Sequence, residues 1–192
     1  PLELRPSRAW RFLSHLKALR LNTAAMKVLL VLAAVVLAVT AEHHGDHGHC
    51  NAMSQLKVKE QWHHVYGTGH RRVDAGRVLW RAMFAHSPGS QSLFEHVHGD
   101  DPDSAEFTAH SIRVVGALEM AIDLLGHDDV LNGALAHLHE QHISRHVKLS
   151  YVSDFKDVLM VLVPAALGKC FDEEAWSSCL DVILDAIFDP NH

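Results

Sequence analysis

The sequence predicts an all-α protein, and three observations support this fold class. Apolar residues recur at the three- and four-residue spacing of amphipathic helices. No strongly alternating apolar and polar run indicates strands, and Pro and Gly are sparse, at 6 and 11 of 192 residues. With 48% hydrophobic residues, the chain can bury one substantial core, so we expect a single domain after the N-terminal region.

Residues 1–41 differ from the rest of the chain. Residues 26–41 have a basic start, an apolar run over 28–39 and small residues at the end, which is the pattern of a secretory signal peptide. That apolar run is too short to span a bilayer, so we predict no membrane anchor. Residues 1–25 are basic and are interpreted as translated upstream sequence or an unstructured segment. We therefore expect a secreted, extracellular domain over residues 42–192.

The charge of this domain argues against a nucleic-acid partner. Residues 1–41 hold six of the 17 Lys and Arg residues and one of the 23 Asp and Glu residues, which leaves 11 positive and 22 negative groups and a formal charge of −11. A nucleic-acid-binding domain is normally basic. A strongly acidic surface instead suits a soluble extracellular protein at high concentration.

The first three helices are predicted over residues 53–66, 71–85 and 103–125. Glycine and threonine at 67–69 break the chain after the first helix, and a Ser-Pro-Gly sequence at 87–89 ends the second. A short segment to Phe94 and Val97 follows, and then a polar turn. Asp103 is expected to cap the third helix, because Glu106 stands three residues later.

The last three helices are predicted over residues 131–142, 148–167 and 172–188. Each has an apolar stripe at helical spacing, and Gly168 separates the last two. The stripe of the final helix comprises Trp176, Leu180, Ile183 and Ile187.

The helix over residues 131–142 carries three histidines. At about 100° per residue, His142 falls near the middle of the apolar stripe, whereas His139 lies on its flank and His137 on the opposite side. A buried imidazole needs partners for both ring nitrogens. His142 is therefore either a core histidine bonded to a carbonyl or a ligand of a metal or haem.

A second histidine indicates which kind of group His142 would bind. His110 lies at the edge of the apolar stripe of the preceding helix, 32 residues before His142. Two helices with facing histidines and apolar walls can sandwich a planar cofactor, which is the physical requirement of non-covalent haem. The large apolar residues expected around the two histidines are Trp80, Phe94, Val97, Val114 and Leu138.

Other chemistries find little support in the sequence. His139 and His142 occupy positions i and i+3, whereas the two zinc-binding histidines of a metalloprotease helix occupy positions i and i+4. No Gly-x-Ser-x-Gly motif, glycine-rich phosphate loop or Cys-x-x-Cys-His sequence is present. We therefore expect no enzyme.

Three cysteines remain in the domain, Cys50, Cys170 and Cys179. In a secreted chain this odd count implies one intrachain bridge and one further thiol. The obvious bridge joins Cys50 to Cys179, at the two ends of the domain.

The domain as a whole resembles the globin chains of the extracellular giant haemoglobins, or erythrocruorins, of annelid worms. Each of five motifs is weak alone, but their order and separation are specific. The motifs are LKVKEQW at 56–62, LF-x-x-V-x-GD at 93–100, F-x-AH-x-x-RV at 107–114, L-A-H-L-x-x-QH at 135–142 and AW-x-x-C at 175–179. The resemblance implies a globin fold of six to eight helices around haem b, and the same Cys50–Cys179 bridge.

The resemblance also assigns roles to the pocket residues. His142 matches the proximal iron ligand, and His110 matches the distal histidine that can donate a hydrogen bond to bound O₂. Arg113 is placed to meet a haem propionate. Phe94 packs on the haem with Val97 beside it, Val114 lines the distal pocket, Leu138 lies in the stripe of His142, and Trp80 restricts the space for the ligand.

His139 is the alternative proximal ligand. A Leu-x-x-Leu-His pattern, as in vertebrate globins, would select His139, whereas the annelid pattern and the position in the stripe select His142. We predict His142.

The resemblance implies reversible O₂ binding to ferrous haem for extracellular oxygen transport. The alternative is a haem enzyme, peroxidase-like or dioxygenase-like, that uses the same pocket. A structural subunit without ligand is disfavoured because both pocket histidines are present. Other globin chains and non-globin linker chains in a large oligomer are the implied partners, and we expect Cys170 to form an interchain disulfide or to remain a free thiol.

Overall fold

The computed structural model describes residues 49–188, which form six α-helices and two short 3-10 helices. The predicted upstream segment at 1–25 and signal peptide at 26–41 lie outside the described residues. The elements in chain order are α1 Ala52–Tyr66, α2 His70–His86, a 3-10 helix Pro88–Val97, α3 Ala105–Leu124, α4 Asp128–Ile143, α5 Leu149–Leu167, a 3-10 helix Gly168–Cys170 and α6 Glu173–Phe188.

The start of α3 differs from its prediction by one residue. The hydroxyl of Ser104, not Asp103, accepts the hydrogen bond from the backbone N–H of Phe107, at 3.2 Å. The carboxylate of Asp103 instead pairs with two arginines of α2, Arg81 at 2.6 Å and Arg77 at 3.3 Å. Because these tertiary partners occupy Asp103, the capping role passes to the next residue, whose short side chain suits it.

The centre of the core is the apolar face of α6. The predicted stripe of Trp176, Leu180, Ile183 and Ile187 is buried throughout, with Trp176 fully so. The indole N–H of Trp176 donates to the side-chain oxygen of Gln61 on α1 at 2.7 Å, so this buried donor is satisfied. Helix α6 packs mainly against α4 and α1, which fixes its position in the bundle.

A disulfide joins the segment before α1 to α6. Cys50 and Cys179 are bonded, as predicted, with their Cα atoms 4.7 Å apart at a sequence separation of 129. A loop of this length loses on the order of 4–5 kcal/mol of unfolded-state conformational entropy in the simple chain model. The ammonium of Lys57 adds a second link by pairing with Asp172, just before α6, at 2.6 Å.

Helices α2 and α3 pack against each other at Gly76. A Cβ atom at this position would lie 2.2 Å from the hydroxyl oxygen of Ser111 on α3, so a larger residue requires the Ser111 side chain to shift. Trp80 lies one turn after Gly76, and His110 precedes Ser111. This packing therefore brings the Trp80 and His110 rings together, with centroids 6.1 Å apart.

Between residues 49 and 188, none of the helices has both the length and the apolar composition needed to cross a bilayer.

Candidate functional site

A cavity of about 420 Å³ lies among α2, α3, α4, α5, α6 and the longer 3-10 helix. Its volume falls within the range of roughly 300–1,000 Å³ typical of cofactor and ligand sites. Its lining is mostly aliphatic and aromatic. The cavity is lined by all eight residues that the sequence assigned to the site: Trp80, Phe94, Val97, His110, Arg113, Val114, Leu138 and His142.

His142 reaches the cavity from the last turn of α4 in a fixed orientation. Its Nδ1 atom lies 2.7 Å from the backbone carbonyl oxygen of Leu138, one turn earlier. A carbonyl can only accept, so Nδ1 carries the proton and donates, and Nε2 keeps its lone pair. Burial lowers the pKa of His142, although the Leu138 bond partly opposes this shift. The neutral ring is therefore prepared to ligate a metal through Nε2.

The two other histidines of α4 form hydrogen bonds with groups outside the cavity or on the exposed face of the helix. Nδ1 of His139 lies 2.8 Å from the backbone carbonyl oxygen of Ile187 on α6, and His139 does not line the cavity. His137 is exposed, and its Nε2 accepts a hydrogen bond from the side-chain amide of Gln141 at 2.8 Å. Of the three, the geometry thus favours His142 as a ligand for a group in the cavity.

His110 presents a second imidazole to the cavity, from α3. Its Nε2 atom is buried and has no hydrogen-bond partner among the described residues. The pKa of His110 is lowered to about 4, mainly by burial and in addition by the positive charge of Arg113 on the same helix. The ring is therefore neutral at pH 7. An unpartnered buried donor is costly, so a ligand that accepts a hydrogen bond from Nε2 would remove a penalty on the order of 1–3 kcal/mol.

Aromatic rings form much of the wall beside His110. The ring of Trp80 meets Phe94 edge to face, with centroids 4.7 Å apart, and lies 5.6 Å from Phe107 and 6.2 Å from Phe155. Phe94 in turn lies 5.4 Å from the ring of His110. These contacts hold Trp80 against the cavity and surround His110 with apolar aromatic rings on this side.

Three basic side chains lie along the exposed part of the cavity wall. They are Arg113 on α3, Arg145 just after α4 and His96 on the longer 3-10 helix, and each is exposed. The positive charges of Arg113 and Arg145 are among the causes that lower the pKa of His110 inside the cavity. Such a rim favours a ligand that carries carboxylates at one edge.

The sequence missed several lining residues, notably Arg145, Tyr151 and Phe155. Arg145 follows His142 by three residues, so one helical turn would have been a usable signal for it. Tyr151 and Phe155 belong to the apolar stripe of α5, but the stripe alone does not distinguish residues that face a cavity from residues in the closed core. That distinction depends on the tertiary packing of α5.

Another group of metal-type side chains lies outside the cavity. His86, Asp154 and Asp157 offer ligand atoms within 4.8 Å of one another. Nε2 of His86 lies 3.7 Å from Asp154, which also accepts a hydrogen bond from Ser87 at 2.6 Å. An ordinary surface ion pair between α2 and α5 explains this geometry, and we assign it no ligand.

Together these features fit a planar, largely apolar cofactor that carries a metal and edge carboxylates. One neutral imidazole has its lone pair available, and a second imidazole from a different helix has an unpartnered nitrogen. The walls are mostly apolar, and two arginines lie at the rim.

Comparison with known proteins identifies a family. The globin family pattern matches residues 77–187, which include every cavity residue assigned from the sequence. The chain is 44% identical over 138 residues to extracellular globin-2 of Lumbricus terrestris. This aligned stretch covers 72% of the present chain and 95% of the Lumbricus protein. It is also 44% identical over 140 residues to an extracellular monomeric globin of Tubifex tubifex, covering 73% and 99% of the two chains.

The lowered pKa of His110 yields a prediction for the chain prepared without any cofactor. Between pH 6.5 and about 4 the unfolded chain binds a proton at this ring and the folded chain does not. The free energy of unfolding should therefore fall as the pH falls through this window. Nitrogen-15 NMR titration of the His110 ring should give a midpoint near 4 in the folded chain and near 6.5 in urea. A folded-state midpoint at the ordinary value would contradict this description of the site.

Proposed function

The chain belongs to the globin family, and on this premise we propose that its cavity binds haem b with His142 as the proximal iron ligand. The function is extracellular oxygen transport, in which ferrous haem supplies reversible O₂ binding. The observation that carries the proposal is the orientation of His142 at the cavity wall, with its Nδ1 atom bound to the carbonyl of Leu138.

The proximal role of His142 follows from its hydrogen bond. A metal-ligating imidazole needs a neutral ring and a lone pair on one nitrogen, and both depend on where the other nitrogen places its proton. The Leu138 carbonyl fixes that proton on Nδ1 and restrains the rotation of the ring. Nε2 is then the ligating atom, and the carbonyl increases its basicity.

The distal role of His110 follows from its unpartnered Nε2 atom. The neutral tautomer that carries a proton on Nε2 would donate a hydrogen bond to an O₂ ligand, whose partial negative charge accepts it. Phe94 and Val97 would pack against the haem, while Val114 and Leu138 complete apolar walls that exclude water. A reversible carrier must keep its iron in the ferrous state, and exclusion of water would slow the oxidation of that iron.

The positive rim supports the orientation of the haem. Arg113 would pair with a propionate, as the resemblance to globins implies, and Arg145 extends the same positive surface along the cavity wall. These pairs are exposed, so each should contribute about 0–1 kcal/mol and serve mainly to orient the propionates toward solvent.

The alternative of a haem enzyme gains no support. The relatives are named as extracellular globins, and the chain shares their family. Cleavage of a peroxide needs groups that move protons at the distal side, and the sequence assigns no such group beyond His110.

Other globin chains are the proposed partners, together with linker chains in a large oligomer. The Tubifex relative is named as monomeric, so family membership alone does not set the assembly. Cys170 bears on this point, because it is exposed and outside the Cys50–Cys179 bridge. We propose that it forms an interchain disulfide.

Replacement of the proximal ligand tests the proposed function. His142→Ala should abolish normal haem retention, seen as loss of the Soret band after gel filtration, and added imidazole should partly restore it. The matched control is His137→Ala on the exposed face of the same helix, which should retain haem. A Soret band fully retained in His142→Ala without imidazole would overturn the assignment.

Replacement of Trp80 tests its restriction of the ligand pocket. Trp80→Leu removes a large ring from the centre of the aromatic wall, so the association rate of CO or O₂ should rise severalfold in flash photolysis. Trp62→Phe is the control, since Trp62 is buried against Tyr66 and does not line the cavity. Equal rates in Trp80→Leu and the unchanged protein would refute this role.

The interchain disulfide can be tested on a gel. The mature protein should migrate as a covalent dimer or larger species without reductant and as a monomer with it, and Cys170→Ser should migrate as a monomer in both conditions. Monomeric migration of the unchanged protein without reductant would count against the bridge.

A further inference from the structure

A hydrogen bond ties α4 to the end of α6. Nδ1 of His139 lies 2.8 Å from the carbonyl oxygen of Ile187, although 48 residues separate them in the sequence. A carbonyl oxygen can only accept a hydrogen bond, so Nδ1 of His139 carries a proton and donates it to this carbonyl of α6.

The residue after Ile187 contacts the proposed iron ligand. The ring of Phe188 meets the imidazole of His142 edge to face, with centroids 4.9 Å apart, and both rings line the cavity. His139 and His142 are three residues apart on α4, so the tether and the ring contact act on neighbouring positions of one helix. A continuous path of contacts thus runs from His139 through the end of α6 back to His142.

The remaining packing of α4 shows what this tether adds. Leu131 and Leu135 are buried, with 4% and 2% of their surface exposed, and they anchor the first half of the helix in the core. Leu138, His139 and His142 are only half-buried. The second half of α4 therefore depends more on specific contacts, and loss of one hydrogen bond there should leave the helix folded.

We propose that His139 is a positioning residue for the proximal histidine. Its N–H holds the last turn of α6, so that the ring of Phe188 fixes the rotation of the His142 imidazole about its side chain. The Leu138 carbonyl selects the tautomer of His142, and the tether adds a second, independent restraint on the direction of Nε2. This inference rests on the proposed function, because it concerns the ligand that His142 provides.

Two substitutions separate the hydrogen bond from the bulk of the side chain. His139→Leu keeps an apolar body but removes the donor, whereas His139→Asn keeps an N–H donor near the position of Nδ1. Lys57→Met is the control for general loss of stability, because it breaks a contact between α1 and the opposite end of α6.

The first readout is structural and uses the chain without haem. The nuclear Overhauser contact between the rings of Phe188 and His142 should be lost in His139→Leu and retained in His139→Asn and Lys57→Met. The second is the iron–histidine stretching band in the resonance Raman spectrum of the deoxygenated ferrous protein. That band should shift and broaden in His139→Leu and stay at the original position in the two other variants.

The outcomes distinguish this inference from the proposed function. An unchanged ring contact and an unchanged stretching band in His139→Leu would overturn the positioning role while leaving His142 as the ligand. A shift of equal size in Lys57→Met would also overturn it, because general destabilisation would then be the cause. Absence of any iron–histidine band in the unchanged protein would instead refute the proposed function.

Discussion

The hydrogen bond between the ring of His142 and the carbonyl of Leu138 is the interaction on which the proposed chemistry depends. It is local, since it joins positions one helical turn apart, and it keeps the proton on Nδ1 so that Nε2 is left for iron. Both partners of this bond lie on helix α4. The other helices provide the apolar walls, the second imidazole and the positive rim of the cavity that His142 lines.

The packing of α2 against α3 provides the distal half of the site. Gly76 permits that packing, and its consequence is that Trp80 and His110 lie against each other beside the cavity. The burial that results makes His110 neutral and leaves its Nε2 atom without a partner among the described residues. The unpartnered Nε2 atom of His110 therefore carries a free-energy penalty that a hydrogen-bonding ligand would remove. Such unsatisfied groups are common at functional sites.

Much of the fold and site could be predicted because the determining signals are local. The buried stripe of α6 and the inward position of His142 follow from helical periodicity. The other site roles rest mainly on the resemblance to globins, and all eight assigned residues line one cavity. The capping of α3 could not be predicted, because arginines of α2 occupy Asp103. Neither could the partner of His139, whose bond to Ile187 spans 48 residues. Such long-range pairs depend on how the helices pack.

The central claim is that this cavity holds a ferrous haem for reversible oxygen binding. The most direct measurement is the absorption spectrum of the purified, reduced chain under nitrogen, then under O₂, and again under nitrogen. We expect a deoxygenated spectrum typical of a single histidine ligand, a stable spectrum of the oxygenated protein, and full return to the deoxygenated spectrum. Rapid conversion to the ferric form with turnover of peroxide, or a purified chain that binds no haem, would contradict it.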